Sequence, residues 1–396
     1  MTFDKEKDQD SSKDAPKKGI SRRDFLKNTM AGAGFFVLGS KQLLRKENSD
    51  SKKGEPGDID QRVKALINKM TLKEKVSQMQ TSAPAIQRLN IPKYVWWSEC
   101  LHGVARAGLA TSFPQAIGMA ASWNTGLMHK VSTIISDEAR AKHHKFAELG
   151  LRDRYMGLTF FAPNINLVRD PRWGRGQETY GEDPFLTGQM AKWYIKGLQG
   201  DHPQYQKVIA TSKHFAVYNG PEPKRHKINV NADQYDLYDT YFPAFKTTIK
   251  EANVGSVMCA YNSLGGMPCC GNNEILNNIL RHDWNFDGYI VSDCGAISNF
   301  YHKNQHYVVN DADQAAALGV NSGTDLNCGD TYSRLDEAEL KGLVDEKEIN
   351  QSLHRLFRAR FRLGMFDKPE KVPYAQIPYS VVDSKKHRQM ALKMAR

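Results

Sequence analysis

The chain lacks the marks of several large function classes. Its six cysteines, Cys100, Cys259, Cys269, Cys270, Cys294 and Cys328, include no C-x-x-C pair, so neither a zinc ribbon nor a thioredoxin-type centre is written here. Neither G-x-G-x-x-G nor G-x-x-x-x-G-K-[ST] occurs, which removes the common nucleotide sites. His143, His144 and His226 do not take the H-E-x-x-H spacing, and no catalytic metal or cofactor is expected. The formal net charge is +11, yet residues 1–53 hold 13 Lys and Arg against 8 Asp and Glu, and the remaining excess is spread along the chain. A nucleic-acid partner would call for clustered Lys and Arg, so none is expected. Cys269 and Cys270 are adjacent and poorly placed to bridge each other. Most of the cysteines neighbour apolar residues, and they are expected as buried small hydrophobes. Whether two of them pair stays open.

What is present begins with an address. Residues 1–20 are polar and charged, then come Ser21-Arg22-Arg23-Asp24-Phe25-Leu26-Lys27 and an apolar stretch from Thr29 to Leu38. Half the ~20 residues that a bilayer span needs, this stretch fits the short h-region of a twin-arginine-type signal. Residues 1–47 are therefore expected to be read by the twin-arginine export machinery, which carries folded proteins to a bacterial periplasm or outside. No A-x-A site follows Leu38, and an uncleaved segment would leave a membrane tether. Residues 48–59, polar with Gly and Pro, read as a linker.

With 40% apolar and 25% charged residues, the 396-residue chain is ordinary for a soluble globular protein. Val63 to Met70 has helical spacing, and Thr71-Leu72-Lys73-Glu74 is a capping box. Strand-like runs follow at Tyr94–Ser98, Thr159–Leu167, Val208–Ala216, Ser256–Tyr261 and Gly288–Ser292. They alternate with helical patterns at Thr125–Phe146, Pro184–Leu198, Tyr235–Glu251, Glu274–Trp284 and Glu346–Leu363. Such alternation predicts α/β architecture with a parallel sheet and helices outside. Several runs end in a polar residue able to do chemistry: Glu99, Asn166, Lys213-His214, Tyr261 and Asp293. In a (β/α)8 TIM-barrel-like domain all strand ends meet at one mouth, so the barrel is favoured over an open sheet.

Each polar cluster carries two readings. Asp293 ends the apolar run Gly288–Ser292; a rigid strand-end carboxylate suits a nucleophile, and it equally suits a turn or helix cap. Lys213 and His214 alternate across their strand, so both reach the mouth only if the strand ends there. The loop Arg169–Glu178 offers guanidinium groups that can grip two hydroxyls or orient a carboxylate, or simply pin a long loop. Trp96, Trp97 and Trp173 could stack on sugar faces or fill the core.

Taken together these motifs resemble glycoside hydrolase family 3. The resemblance runs along nearly all of residues 60–396. It rests on Trp97-Ser98-Glu99-Cys100-Leu101-His102-Gly103, the segment Asp170 through Pro184, Lys213-His214-Phe215, Val257 through Asn262, and Gly288 through Gly295. It implies that residues 60–370 are the family's catalytic barrel and that Asp293 is the nucleophile of a retaining double displacement. It also implies that Arg175, Lys213, His214, Arg225, Met258 and Tyr261 line the subsite for the non-reducing sugar, with Glu99 among the substrate-binding residues. Asp293 must then be ionised, and Lys213 or an arginine is expected to hold its pKa down.

Two features point within the family. Many of its β-glucosidases carry Asp where Glu99 stands and Trp where Cys294 stands. The pattern here looks like the β-xylosidase branch, some members of which also cleave α-L-arabinofuranosides. Glu99 is one methylene longer than Asp, leaving less room for the hydroxymethyl group that distinguishes glucose from xylose. The expected substrates are oligosaccharides or aryl glycosides with a terminal β-D-xyloside. A β-glucosidase, an N-acetylglucosaminidase and a non-catalytic sugar-binding barrel are the alternatives. The family usually places its general acid/base Glu on a following α/β-sandwich domain, and residues 371–396 are expected to be a linker and that domain's first helix. In the N-acetylglucosaminidase branch a loop His after K-H-F does this work within a D-S-H signature. Here Lys224-Arg225-His226 stands there without the Asp, which leaves His226 a weak candidate.

Overall fold

The computed structural model describes residues 59–396. The expected signal and nearly all of the linker lie outside the described residues, although Ile59, placed in the linker, already opens a helix, α1 (Ile59–Ile67). Val63 and Ile67 form its buried stripe. The next helix, α2 (Leu72–Gln78), starts at the expected capping box. The Thr71 amide donates to the Glu74 carboxylate at 2.9 Å, and the Glu74 amide donates back to Thr71 Oγ1 at 3.3 Å.

After α2 the chain curls short strands into a ring. They are β1 (Ser82–Ala83), β2 (Tyr94–Val95), β3 (Thr159–Phe160), β4 (Ile209–Phe215), β5 (Ser256–Cys259) and β6 (Tyr289–Ser292). β3, β4, β5 and β6 form a parallel sheet in that order. Single bridges extend it both ways. Ser98, just past β2, runs parallel to Phe160, while Leu326 runs parallel to Val291 of β6. Gln80 in turn bridges Asn327, and β1 pairs antiparallel with β2. The curl thereby closes on itself. The expected barrel-like α/β fold is present, with several of its staves reduced to bridges and one junction antiparallel.

The main helices of the wrapping are α3 (Thr125–Glu148), α4 (Pro184–Gln199), α5 (Pro243–Ala252), α6 (Ala312–Asn321) and α7 (Glu346–Arg362). Asp183 caps α4 by accepting from the Leu186 amide, with Pro184 in the first turn and Gly200 just past the end. Every residue of β4 is buried, as a strand covered on both faces requires. One expected helix, Tyr235–Glu251, is broken. A short helical turn at Gln234–Asp236 widens over Leu237–Tyr241 before α5 begins. Pro243 stands at the break; it has no amide hydrogen, and its ring crowds an upstream carbonyl.

A last helix, α8 (Lys385–Ala395), is capped by Ser384. It is tied to α3 through Glu138, which is 1% exposed. That carboxylate accepts from His387 Nδ1 at 2.7 Å and from the Asp383 amide at 3.0 Å. Residues 371–396 thus belong to the same compact unit as the barrel.

The cysteines depart from expectation. Cys259 is bonded to Cys270 and Cys294 to Cys328, with Cα atoms 5.1 and 4.4 Å apart. Only Cys100 and Cys269 are free and buried among the six. Cys294 follows β6, and Cys328 follows the segment that bridges β6. Neighbouring strands run ~4.8 Å apart, so residues at two adjacent strand ends fall within bridging range.

Candidate active site

Consecutive strand ends carry the polar side chains to one mouth. β5 pairs Met258 with Lys213 of β4 and Val291 of β6. The register slips between Lys213 and Phe215, a local irregularity of the kind that re-aims side chains. Both Lys213 and His214 consequently face the mouth. Asp293 comes directly after β6, and its amide donates to the Cys259 carbonyl at 3.2 Å. From the other side of the ring, Glu99 reaches Lys213 Nζ at 3.3 Å and accepts from Trp97 Nε1 at 3.0 Å.

Asp293 is 7% exposed. Its Oδ1 accepts from the Cys294 amide at 2.8 Å. Its Oδ2 is buried without a hydrogen-bond partner among the described residues. Burial pushes its pKa above the ordinary 3.8; Arg175, the Cys294 amide and Lys213 pull the other way without cancelling it. The expected cations, Arg175 and Lys213, do pull this pKa down, and what they restrain is a rise caused by loss of water. Tyr261 is pinned by donating to the Cys294 carbonyl at 2.7 Å.

His214 is neutral: burial first, then Arg175, Lys213 and Arg225, push its pKa well down. Its tautomer follows from Asn166. That side chain donates through Nδ2 to the His214 carbonyl at 2.9 Å and accepts through Oδ1 from the His214 amide at 2.8 Å. The same Oδ1 lies 2.9 Å from His214 Nδ1, which must carry the ring proton. Nε2 is left as a bare acceptor, 3.6 Å from Asp293 Oδ2, too far for a hydrogen bond. Two acceptors thus face each other, and a hydroxyl donor arriving between them would satisfy one directly.

The supporting carboxylates were not singled out as site residues. Glu178 takes two hydrogen bonds from Arg175, at 2.9 and 2.7 Å. Burial opposes its charge, yet Arg175 and Lys213 hold its pKa below the ordinary range. Glu222 accepts from Tyr218, Trp173 and Arg225 at 2.8, 3.0 and 2.7 Å. Burial opposes its ionisation too, and those bonds still win. Arg175 and Arg225 stand three residues from their partners, and that spacing was the available signal. Arg225 also lies 4.8 Å from the centre of the Tyr261 ring. His226 contacts Arg225 Nε through Nε2 at 3.1 Å and Asn299 through Nδ1 at 3.2 Å, and its pKa is lowered, first by burial. Of the tryptophans, Trp96 is core, Trp173 serves Glu222, and Trp97 alone stands beside Glu99. His143 bonds the Met156 carbonyl at 2.7 Å, away from the mouth.

A family model described as the glycosyl hydrolase family 3 N-terminal domain matches residues 42–359. The chain belongs to glycosyl hydrolase family 3. A xylan 1,4-beta-xylosidase of Xylanibacter ruminicola is 47% identical over 337 residues, covering 84% of this chain and 39% of that protein. Beta-xylosidase/alpha-L-arabinofuranosidase 2 of Medicago sativa subsp. varia is 43% identical, covering 85% of this chain and 45% of its own length. The solved structure of a family 3 exo-beta-xylosidase, XlnD, with a xylobiose aziridine probe matches with a TM-score of 0.79 at 35% identity, over 85% of this chain and 44% of that one. A beta-glucosidase from Listeria innocua in complex with isofagomine matches at 0.72 and 25% identity, over 84% of this chain and 50% of that one. The chain thus spans half or less of the length of these relatives.

Cavity size does not locate the family 3 site. A cavity of about 950 Å³ lies at the opposite end of the barrel, where Ile209 and Tyr289 begin their strands and Gly255 precedes β5. The chemistry-bearing residues stand at the other ends of the same strands. Because the folded state raises the pKa of Asp293, its contribution to stability is present below the ordinary 3.8 and lost as pH rises through the folded value. Asp293→Asn, which never ionises, should melt at a higher temperature than the parent at neutral pH, with the gap narrowing as pH falls toward 3.8. Thermal melts across that range check this; an unchanged or lower Tm at neutral pH contradicts it.

Proposed function

We propose that the chain is the nucleophile-bearing barrel of a retaining exo-β-glycosidase acting on terminal β-D-xylosides. The observation that carries this reading is the buried Oδ2 of Asp293, unpartnered among the described residues and presented at a strand end with Arg175 and Lys213 close enough to favour its charge. Asp293 Oδ2 would attack the anomeric carbon while the bond to the leaving oxygen breaks and that oxygen takes a proton from a general acid. Water then attacks the same carbon, returns a proton to the conjugate base of that acid, frees Asp293 and completes a double displacement with net retention. Lys213, His214 and Arg175 would hold sugar hydroxyls, and the bare Nε2 of His214 suits one that donates. Glu178 and Glu222 are held ionised and His226 is engaged through both nitrogens, so none of these three is assigned the proton donor.

The xyloside preference is supported by Glu99, fixed between Lys213 and Trp97, and by relatives that are named for xylosidase activity. The β-glucosidase reading stays second, favoured by the likeness to the Listeria innocua enzyme. We further propose export by the twin-arginine route, on the strength of Ser21 through Leu38.

A dinitrophenyl fluoro-xyloside tests the nucleophile, because its leaving group departs without a proton. Incubation should add one sugar to the chain, and peptide mass spectrometry should place it on Asp293. A stable adduct on any other carboxylate overturns the assignment. Glu99→Asp should move the ratio of kcat/KM for aryl β-xyloside over aryl β-glucoside toward the glucoside by about tenfold, the scale of one pocket contact. An unchanged ratio means that Glu99 does not set the pocket size.

A further inference from the structure

A cavity of about 250 Å³ opens beside the site and shares with it the walls Trp97 and Cys294. Each wall is bonded to a site residue: Trp97 Nε1 donates to Glu99, and the Cys294 amide donates to Asp293. The cavity is smaller than the ~300–1,000 Å³ typical of whole-ligand pockets, so it suits a substituent more than an oligosaccharide. Arg154 is the single charged residue in its lining. Among the described residues no carboxylate pairs with it. The neighbouring Asp153 is taken by Lys93 at 2.7 Å, and Glu99 is taken by Lys213 and Trp97.

The Arg154 guanidinium lies 4.4 Å from the centre of the Trp97 ring. That contact favours the cation through the ring face and leaves N–H groups free for the two oxygens of a carboxylate. Gln80 and Ser82 contribute an amide and a hydroxyl to the same lining. A cation, an aromatic face and small polar groups together match a sugar acid. The deep end of the site is closed, with Lys213 and His214 4% and 1% exposed, whereas Arg154 and Ser82 are exposed. A terminal sugar held at the closed end would leave the rest of the substrate toward the open side.

We propose that this cavity binds a carboxylate carried on the leaving-group part of the substrate, a uronic-acid substituent on an oligoxyloside, with Arg154 as the residue that selects it. The inference rests on the glycosidase reading above and names a substrate class within it.

Calorimetric titration of the full chain, in an Asp293→Asn background that prevents turnover, tests it with two probes: xylobiose, and xylobiose bearing a glucuronic acid substituent. The acidic probe should bind about fivefold more tightly, the scale of one exposed charge pair, and added salt should narrow the difference. Arg154→Gln should abolish the preference and leave xylobiose binding unchanged. Xylobiose binding without preference for the acidic probe, or a preference that survives Arg154→Gln, overturns the proposal alone. Binding of neither probe overturns the reading of the site together with it.

Discussion

The site depends on a carboxylate being kept out of water at the end of a strand. Removing Asp293 from solvent raises its pKa, and the fold answers with Arg175, Lys213 and the Cys294 amide. Those groups need holders of their own. Arg175 is fixed by Glu178, Lys213 by Glu99, and Glu99 by Trp97. Each added charge brings an opposite one with it, since an unpaired buried ion costs far more than a paired one. The result is a preformed set of charges and dipoles around a free oxygen, the arrangement that stabilises developing charge without reorganisation.

The backbone decides which atoms stay free. Asn166 engages the amide and carbonyl of His214 and so sets its ring proton on Nδ1, leaving Nε2 open. Tyr261 holds the Cys294 carbonyl, and the Cys294–Cys328 bond ties the loop after β6 to the adjacent segment. The strand that ends at Asp293 is thereby fixed on both sides.

Much of this was legible in the sequence, for definite reasons. Alternating β-branched runs and amphipathic helices report burial, and burial has a period; that is why the barrel and the ends of α4 could be placed. Polar residues closing apolar runs pointed to Glu99, Lys213, His214, Tyr261 and Asp293, all of which the fold gathers at one mouth. Pairing across the ring has no such period. Cys294 and Cys328, 34 residues apart, meet through strand geometry that their sequence neighbours do not show. Glu178 and Glu222 were passed over because an arginine three residues away marks an ion pair without showing that the pair borders a site. The net shift at Asp293 was not legible, because the charges near it could be guessed from sequence while the depth of its burial could not. The break before α5 was written in Pro243 and passed over in favour of the surrounding helical pattern.

At Asp293 burial outweighs the neighbouring cations while those cations limit the effect. Carbon-13 NMR of protein labelled at aspartate carboxyls, titrated in parallel with Asp293→Asn to identify the signal, measures this directly. The midpoint for Asp293 should lie above 3.8, and higher still in Lys213→Met, where one restraining charge is gone. A midpoint at or below 3.8 in the parent, or one that falls when Lys213 is neutralised, would contradict it.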